Sequence, residues 1–227
     1  MKILIVSGFL GAGKTTFIKR LARNVDQRFA ILENEYGAAG IDGARLGQNR
    51  QGTQKNVWEM TEQCICCIGK KDFAASVLTI ANVVDPEYLI VEPTGVGSLA
   101  RIIENLRQIE YERIQLLSPV TIVDVYSYRR YMAEYPELYQ DQIRSADTII
   151  VSKTEACQAE EKQRIQKFLQ EINPQAKIIT DYASTMTRED YQSLLLGGRY
   201  EKEVQDTQSG EKMPETFSFE NIRMEAP

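Results

Sequence analysis

A glycine-rich octapeptide near the N-terminus constrains the fold of this chain most. The segment from Gly8 to Thr15 reads GFLGAGKT and fits the pattern G-x-x-x-x-G-K-[ST]. It follows a short apolar run, Ile3 to Ser7, and opens a stretch with the apolar spacing of a helix. A strand, a glycine loop and a helix in this order favour an anion, because backbone N–H groups and the positive end of the helix converge on it. The segment therefore predicts a phosphate-binding loop, with a plain strand-to-helix turn as the alternative.

Each residue type in the loop has a chemical reason to be there. Small residues let backbone N–H groups approach phosphate oxygens without Cβ clashes, and here they are Gly8, Gly11, Ala12 and Gly13. Lys14 adds a positive charge at the β- and γ-phosphates, and the Thr15 hydroxyl can ligate Mg²⁺. The stretch from Gly8 to Thr16 therefore predicts binding of a nucleoside triphosphate together with Mg²⁺.

Apolar runs and helical spacing alternate along the rest of the chain. Short apolar runs predict strands at 29–32, 88–91, 120–123, 148–151 and 176–180, and helical spacing predicts helices over 72–84 and 160–172. Repeated strand–helix–strand units specify an α/β fold, a mostly parallel sheet with helices on both faces, as in P-loop nucleotide hydrolases. We expect this domain to span residues 1–200, followed by a charged, aperiodic linker or C-terminal tail over 201–227.

Length and charge exclude several classes of protein. A chain of 227 residues is long enough for one α/β domain with a real core. The net charge of −5 argues against broad binding to nucleic acid or anionic membranes, which depends on basic surface. No segment approaches the roughly 18 consecutive apolar residues of a membrane helix. Neither a nucleic acid nor a membrane is therefore expected as a partner.

The cysteine and histidine counts bear on compartment and chemistry. Three of the 4 cysteines lie too close together for an ordinary structural disulfide framework, so we expect a reducing compartment, the cytoplasm. The chain has no histidine, which removes the commonest metal ligand and the commonest general base. No glutamine that could orient an attacking water is evident either, so we expect slow intrinsic hydrolysis of the bound nucleoside triphosphate.

The residues after the strand at 88–91 read Glu-Pro-Thr-Gly. An acidic residue at the carboxyl end of a parallel strand lies on the same edge of the sheet as the phosphate loop. Glu92 is therefore predicted to hold Mg²⁺, directly or through water, and Gly95 to contact the γ-phosphate. A simple turn is the alternative.

The residues after the strand at 148–151 read Ser-Lys-Thr-Glu and occupy the position of a base-recognition segment. A carboxylate there accepts hydrogen bonds from guanine N1–H and the exocyclic amine, so Glu155 can select guanine over adenine. Lys153 can lie along the base, and Ser152 replaces the asparagine of the usual N-K-x-D pattern. The alternative is a polar helix start capped by Ser152.

Cys64, Cys66 and Cys67 stand together in a loop before the helix at 72–84. Thiolates bind Zn²⁺ and other soft or borderline metals well, and without a second cysteine pair the loop predicts an open or exchangeable site. A carboxylate or water could complete it. Glu33 and Glu35 follow the strand at 29–32, and one of these two carboxylates could join the thiols or contact Mg²⁺ through water. The alternatives are semi-buried cysteines without chemical importance, a solvated strand end at Glu33, and thiol redox sensing.

Four segments together resemble the CobW-like branch of the CobW/HypB/UreG P-loop GTPases. GFLGAGKTT is similar to the family's phosphate loop, and ENEYG followed by GID to its first switch. CICC is similar to its C-x-C-C metal loop, and EPTG to its E-[ST]-[ST]-G second switch. The order and spacing of the segments agree from residue 1 to about 185, including the SKTE segment where the base motif belongs.

The resemblance implies GTP hydrolysis coupled to binding or delivery of zinc, cobalt or a related metal. It implies that Lys14, Thr15 and Thr16 contact phosphate and Mg²⁺, with Glu92 in the second switch. For the transition metal it implies Cys66 and Cys67 first, then Cys64 and Glu33. A client metalloprotein or cofactor-dependent enzyme, such as a cobalamin-linked one, is the implied partner, and a homodimer around the nucleotide is a further expectation.

The chain also departs from the family pattern. Ala38 and Ala39 follow the first switch glycine where an acidic residue is usual, and Gln63 stands before the thiol loop in place of glycine. SKTE differs from N-K-x-D at both ends. Most members continue into a second, histidine-rich domain, which we expect to be absent here.

Other functions share the same phosphate loop. A nucleotide-gated switch or adaptor would control a partner protein, with turnover incidental. A small-molecule kinase would need a phosphoacceptor pocket and a base, and the sequence identifies neither.

Overall fold

The computed structural model describes residues 1–27, 29–33, 57–61 and 70–201; within these ranges, the side chains of residues 33, 57–61 and 70–72 are left out of the description. One eight-stranded sheet runs through these ranges in the neighbour order β3-β2-β4-β1-β6-β7-β8, with the short β5 beside β1. Every one of these strand pairs is parallel. The strands are β1 (Lys2–Gly8), β2 (Phe29–Glu33), β3 (Val57–Thr61), β4 (Tyr88–Glu92), β5 (Gln115–Leu116), β6 (Val120–Asp124), β7 (Thr148–Ser152) and β8 (Lys177–Ile179).

Helices in the described ranges connect the strands and cover both faces of the sheet. They are α1 (Lys14–Asn24), α2 (Lys70–Val83), α3 (Leu99–Arg107), α4 (Tyr128–Glu134), α5 (Pro136–Arg144), α6 (Ala159–Ile172), α7 (Tyr182–Thr185) and α8 (Arg188–Leu196). None of them is long and apolar enough to cross a membrane.

The central strand β1 explains why its sequence is a continuous apolar run. Its side chains alternate between the two faces, as the two-residue repeat of a strand requires. Ile3 and Ile5 pack in a core cluster with residues of α2 and α3, whereas Leu4 and Val6 pack with residues of α1 and α8. A strand buried on both faces has no solvent side, so no polar alternation is seen.

The carboxyl ends of the central strands meet at one edge of the sheet. β1 ends at Gly8, β4 at Glu92, β6 at Asp124 and β7 at Ser152. The strand register places Asp124 beside Ser152 and Gly8 beside Ile122. The loops that follow these strands therefore gather around the segment from Gly8 to Lys14.

The predicted fold class is confirmed, and the predicted elements agree closely with the observed ones. The strands predicted at 29–32, 88–91, 120–123 and 148–151 each lie inside an observed strand. The strand predicted at 176–180 corresponds to the shorter β8. α2 and α6 match the helices predicted at 72–84 and 160–172. The predictions omit β3, β5, α3, α5, α7 and α8. Of these, α3 has buried residues with clear helical spacing, namely Leu99, Ile102, Ile103 and Leu106. Apart from Glu201, the predicted tail over 201–227 lies outside the described residues.

Candidate functional site

The segment between β1 and α1 has the backbone conformation that only glycine adopts easily. Gly8, Gly11 and Gly13 have φ angles of 145°, 69° and 97°. A side chain at Gly8 would also collide with β6, since a Cβ there would lie 2.4 Å from the Ile122 carbonyl oxygen. Glycine is therefore required both by the turn and by the close approach of β6.

Lys14 is the first residue of α1, and its side chain folds back over the loop. It is 9% exposed, and Nζ donates to the carbonyl oxygens of Gly8 at 3.1 Å and Phe9 at 3.5 Å. These carbonyls hold the ammonium group inside the curve of the loop, at the positive end of α1. The arrangement can present a cation and backbone N–H groups to the same phosphate.

Thr15 joins the phosphate loop to the end of β4. Its hydroxyl donates to Glu92 Oε1 over 2.9 Å, and the Glu92 side chain is almost entirely buried. A hydroxyl and a carboxylate are hard oxygen ligands of the kind that Mg²⁺ prefers. The donor set therefore fits a magnesium ion beside the phosphate loop.

The segment after Glu92 lies between the phosphate loop and α5. A Cβ on Gly95 would lie 2.4 Å from the Leu10 backbone nitrogen, so only glycine fits there. On the other side, Gln142 Nε2 donates to the carbonyl oxygens of Gly95 at 3.1 Å and Gly97 at 2.9 Å. Residues 92–98, here called the switch segment, are thus held from both sides.

Asp141, which precedes Gln142 in α5, anchors α3, the helix that follows the switch segment. The carboxylate of Asp141 accepts from the backbone N–H groups of Leu99 at 2.7 Å and Ala100 at 3.4 Å, in the first turn of α3. Burial raises the pKa of Asp141, although its hydrogen bonds from Ser98 and the two N–H groups oppose this shift. A carboxylate at a helix N-terminus also interacts favourably with the helix dipole.

Ser152 contacts the phosphate loop directly. Its hydroxyl donates to the Ala12 carbonyl oxygen over 2.6 Å, and its side chain is buried. A serine at this position can therefore brace the loop through one hydrogen bond. It is not the N-cap of a helix, because α6 begins only at Ala159.

Lys153 and Glu155 are both exposed beyond Ser152. Lys153 has a φ of 61°, and its Nζ donates to Asp124 Oδ2 over 2.8 Å. This ion pair holds the lysine stem across the carboxyl edge of β6 and β7. The position leaves the aliphatic part of Lys153 available to a flat ring, and the Glu155 carboxylate available to solvent or a ligand.

Asp124 was not predicted as a site residue. It is 6% exposed and accepts from Lys153 Nζ, the Tyr126 backbone N–H and the Ser127 hydroxyl. The signal was present in the sequence, because Asp124 directly follows the apolar run at 120–123, as Glu92 follows the run at 88–91. Gln142 gave a weaker signal, a polar residue three positions after Tyr139 on the buried stripe of α5.

An aromatic cluster supports the outer side of the phosphate loop. The Phe9 ring packs against the rings of Tyr131, Tyr135 and Tyr139 at centroid distances of 4.2, 5.4 and 5.8 Å. The Tyr131 hydroxyl donates to the Leu10 carbonyl oxygen over 3.1 Å. Burial raises the pKa of Tyr139 far above its ordinary value, so this ring stays neutral.

The predicted transition-metal ligands are three thiols and one carboxylate. Cys64, Cys66 and Cys67 lie outside the described residues, as does the side chain of Glu33, whose backbone ends β2. Within the described ranges there is no group of three or more cysteine, aspartate or glutamate side chains able to hold a metal. The metal site therefore stays a prediction.

Comparison with known proteins gives consistent matches. The model of the family described as CobW/HypB/UreG, nucleotide-binding domain, matches residues 2–180. The chain is 30% identical over 178 residues to the zinc chaperone YeiR of Escherichia coli, covering 77% of this chain and 53% of YeiR. It is 27% identical over 194 residues to the zinc chaperone CobW of Pseudomonas aeruginosa, covering 73% of this chain and 52% of that protein. The chain thus spans about half the length of these curated relatives.

Solved structures agree on the fold. The Zn(II)-bound YjiA GTPase from E. coli superimposes with a TM-score of 0.59 at 23% identity, covering 79% of this chain and 57% of YjiA. At this identity the likeness concerns the fold alone. The family match covers the phosphate loop, the switch segment and the SKTE segment together, and the chain therefore belongs to the CobW/HypB/UreG family through its nucleotide-binding domain.

Proposed function

We propose that this chain binds and hydrolyses GTP, and that its nucleotide state is coupled to the binding and delivery of a transition metal to a client protein. The observation that carries the proposal is the hydrogen bond from Thr15 to Glu92, next to the buried Lys14. This bond places two oxygen ligands of the kind that Mg²⁺ prefers beside a loop suited to binding phosphate. Membership in the CobW/HypB/UreG family supports GTP as the nucleotide.

The nucleotide-binding roles follow from the placement of the side chains. Lys14 and the backbone of residues 8–16, with Thr16 exposed at the loop mouth, would bind the phosphates. Thr15 and Glu92 would hold Mg²⁺, which, when bound, neutralises charge that develops on the transferred phosphoryl group. The Gly95 N–H would contact the γ-phosphate. The close approach of Gly95 to the phosphate loop supports this role, since a Cβ on Gly95 would lie 2.4 Å from the Leu10 nitrogen.

Guanine selection is assigned to the segment after β7. Lys153 would lie along the base, and the exposed Glu155 carboxylate would accept from N1–H and the exocyclic amine. Ser152 would fix the base-recognition segment relative to the phosphate loop through its hydrogen bond to the Ala12 carbonyl oxygen. A glutamate in place of the usual aspartate reaches further, so the base would sit slightly farther from β7.

The metal half of the proposal rests on the cysteine loop and on the relatives. Cys66, Cys67, Cys64 and Glu33 are the proposed ligands for Zn²⁺ or Co²⁺, which is the cargo. Relatives at 27–30% identity are named zinc chaperones. A client metalloprotein, or an enzyme that depends on a metallo-cofactor, would accept the metal.

Three further features complete the proposal. Residues 1–200 act as the GTPase domain, and 201–227 as a linker or tail. The thiol loop suits a reducing compartment, which we propose to be the cytoplasm. A homodimer that assembles around the nucleotide is the proposed active state.

Release of inorganic phosphate from GTP and ATP tests the catalytic half. Wild-type protein should turn over GTP slowly and prefer it to ATP, and Lys14→Ala should lose at least about 100-fold in kcat/KM, because a buried phosphate-binding charge is removed. Lys19→Ala is the matched control, since Lys19 is an exposed lysine of the same helix. Hydrolysis that survives in Lys14→Ala at the wild-type rate would contradict the proposal.

A further inference from the structure

Gln142 is a buried polar residue where packing alone would favour an apolar one. It lies on the face of α5 that also carries Tyr139 and Ile143, and it is 1% exposed. Its Nε2 donates both hydrogen bonds to the switch segment, whereas its Oε1 is buried and has no hydrogen-bond partner within the described residues. A buried acceptor without a partner is costly, so the residue type at this position calls for a functional explanation.

Two buried hydroxyl groups of the sheet, those of Thr121 and Ser7, lie on the side of the sheet that α5 covers. The Thr121 hydroxyl donates to the Gln142 backbone oxygen over 2.9 Å, so the Thr121 side chain points toward α5. Ser7 is the register partner of Thr121 in the neighbouring parallel strand, and its side chain therefore points to the same side of the sheet. The Ser7 hydroxyl, directly before Gly8, is also buried without a hydrogen-bond partner in the described part of the chain.

The hydrogen bonds from Gln142 to the Gly95 and Gly97 carbonyl oxygens restrain the backbone around Gly95. Gly95 touches Leu10 of the phosphate loop on one side, and a Cβ there would lie 2.4 Å from the Leu10 nitrogen. The Gln142 amide fixes Gly95 and Gly97 from the opposite side, and Asp141 fixes the first turn of α3. One turn of α5 therefore holds the switch segment and the start of α3 against the phosphate loop.

We propose that Gln142 is a positioning residue that holds the Gly95 N–H in place for the γ-phosphate and so sets the preference for GTP over GDP. This inference rests on the proposed function, because it assumes that the loop binds guanine nucleotides. Gln142 does not touch nucleotide; it acts through the Gly95 backbone. The effect is specific to the triphosphate, since GDP lacks the group that Gly95 would contact.

Gln142→Met tests the role, because methionine has a similar length but no donor. The dissociation constants of GDP and of a non-hydrolysable GTP analogue are measured with Mg²⁺, and kcat for GTP is measured beside them. Affinity for the GTP analogue should fall about tenfold, the effect of losing one or two hydrogen bonds. Affinity for GDP should stay within about twofold of wild type, and kcat/KM for GTP, obtained in the same assays, should fall in parallel with the affinity for the analogue.

Thr121→Val is the matched control. It removes a buried hydrogen bond to the Gln142 backbone and leaves the Gln142 amide in place, so it tests whether any loosening of α5 is sufficient. Thermal unfolding of both variants reports the structural loss separately, and the nucleotide ratio of Thr121→Val should match wild type. If Gln142→Met does not fold, Gln142→Asn keeps a buried amide with a shorter reach and should shift the ratio in the same direction.

The outcomes separate the two proposals. Wild-type protein that binds neither nucleotide overturns the proposed function. Wild-type protein that prefers the GTP analogue, with the same ratio in Gln142→Met, overturns only the positioning role of Gln142. An equal shift in Thr121→Val would likewise overturn it, because general loosening of α5 would then account for the effect.

Discussion

The Thr15 hydroxyl donates a 2.9 Å hydrogen bond to Glu92 Oε1, although the two residues lie 77 positions apart in the chain. The bond links the first turn of α1 to the carboxyl end of β4, and both ends are fixed by secondary structure. A binding constellation on rigid elements keeps its geometry without ligand. The proposed Mg²⁺ site is therefore largely built before nucleotide arrives.

Glu92→Gln should raise the Mg²⁺ concentration needed for half-maximal GTP hydrolysis. The amide keeps the shape and can still bond to Thr15, but it removes the negative charge that would hold the cation. We expect kcat for GTP to fall about 100-fold or more. GTP hydrolysis measured across a Mg²⁺ titration checks this expectation.

Glu87→Gln is the control for that experiment. Glu87 is exposed and precedes the opposite end of β4, so it shares the strand but not the site. A wild-type Mg²⁺ dependence in Glu87→Gln is expected. The same dependence in Glu92→Gln would contradict the assignment of Glu92.

Gly95→Ala should damage both the fold and nucleotide binding. The new Cβ would press on the Leu10 backbone at 2.4 Å, and backbone cannot move aside as a flexible side chain can. We expect the free energy of unfolding to fall by about 1–3 kcal/mol. Gly198→Ala, where a Cβ meets nothing within 4 Å, should be close to neutral. Urea unfolding of both variants checks the difference, and equal effects would argue against the close approach at Leu10.

Asp181→Asn should lower stability at neutral pH and lose its effect in acid. The hydrogen bond from Lys162 is the main reason that the pKa of Asp181 lies below its ordinary value, and Thr154 contributes in the same direction. A lowered folded-state pKa gives stability that is present above the unfolded-state pKa, about 3.9. That stability disappears as pH falls through the folded-state value.

Urea unfolding of wild type and Asp181→Asn between about pH 3 and 7 measures this difference. Asp85→Asn, which loses a carboxylate that is 67% exposed, is the surface control. The wild-type advantage over Asp181→Asn should shrink steadily toward acid. An advantage that grows in acid would have the wrong sign for this pair.

Glu155→Ala should weaken the ability of the protein to distinguish guanine from other bases. If the carboxylate accepts from the exocyclic amine of guanine, wild-type protein should prefer GTP to ITP, which lacks that amine, by about tenfold. The variant should bind both nucleotides equally, whereas Glu160→Ala, an exposed glutamate at the start of α6, should keep the preference. Competition binding with the two nucleotides checks it, and an unchanged GTP preference in Glu155→Ala would remove this residue from the base site.

Local sequence patterns predicted the fold and the position of the phosphate loop between β1 and α1. The alternation of apolar runs and helical spacing was enough, because a parallel sheet buries its strands on both faces and leaves a clear signal. The partnership of Thr15 with Glu92 was predictable in kind from strand ends alone. Asp124 could have been found by the same argument.

The contacts made by α5 could not be predicted in this way. Gln142 reaches the switch segment from 45 positions away, and Asp141 caps α3 from 42 positions away. Such pairings depend on which helix packs against which loop, and no short-range periodicity encodes that packing. Ser152 is a similar case, since its bond to Ala12 replaces the predicted alternative of a helix cap.

The coupling of the two proposed sites is the central claim, and a linked titration tests it most directly. Reduced protein is titrated with Zn²⁺ and Co²⁺ with and without Mg²⁺ and a non-hydrolysable GTP analogue, and the titration is repeated on Cys66→Ala/Cys67→Ala protein. We predict that nucleotide changes metal affinity by at least about fivefold, that metal changes nucleotide affinity by the same factor, and that the double variant loses both effects. Metal binding that is absent, or that is indifferent to nucleotide in the wild-type protein, would contradict the account and favour a nucleotide-gated adaptor.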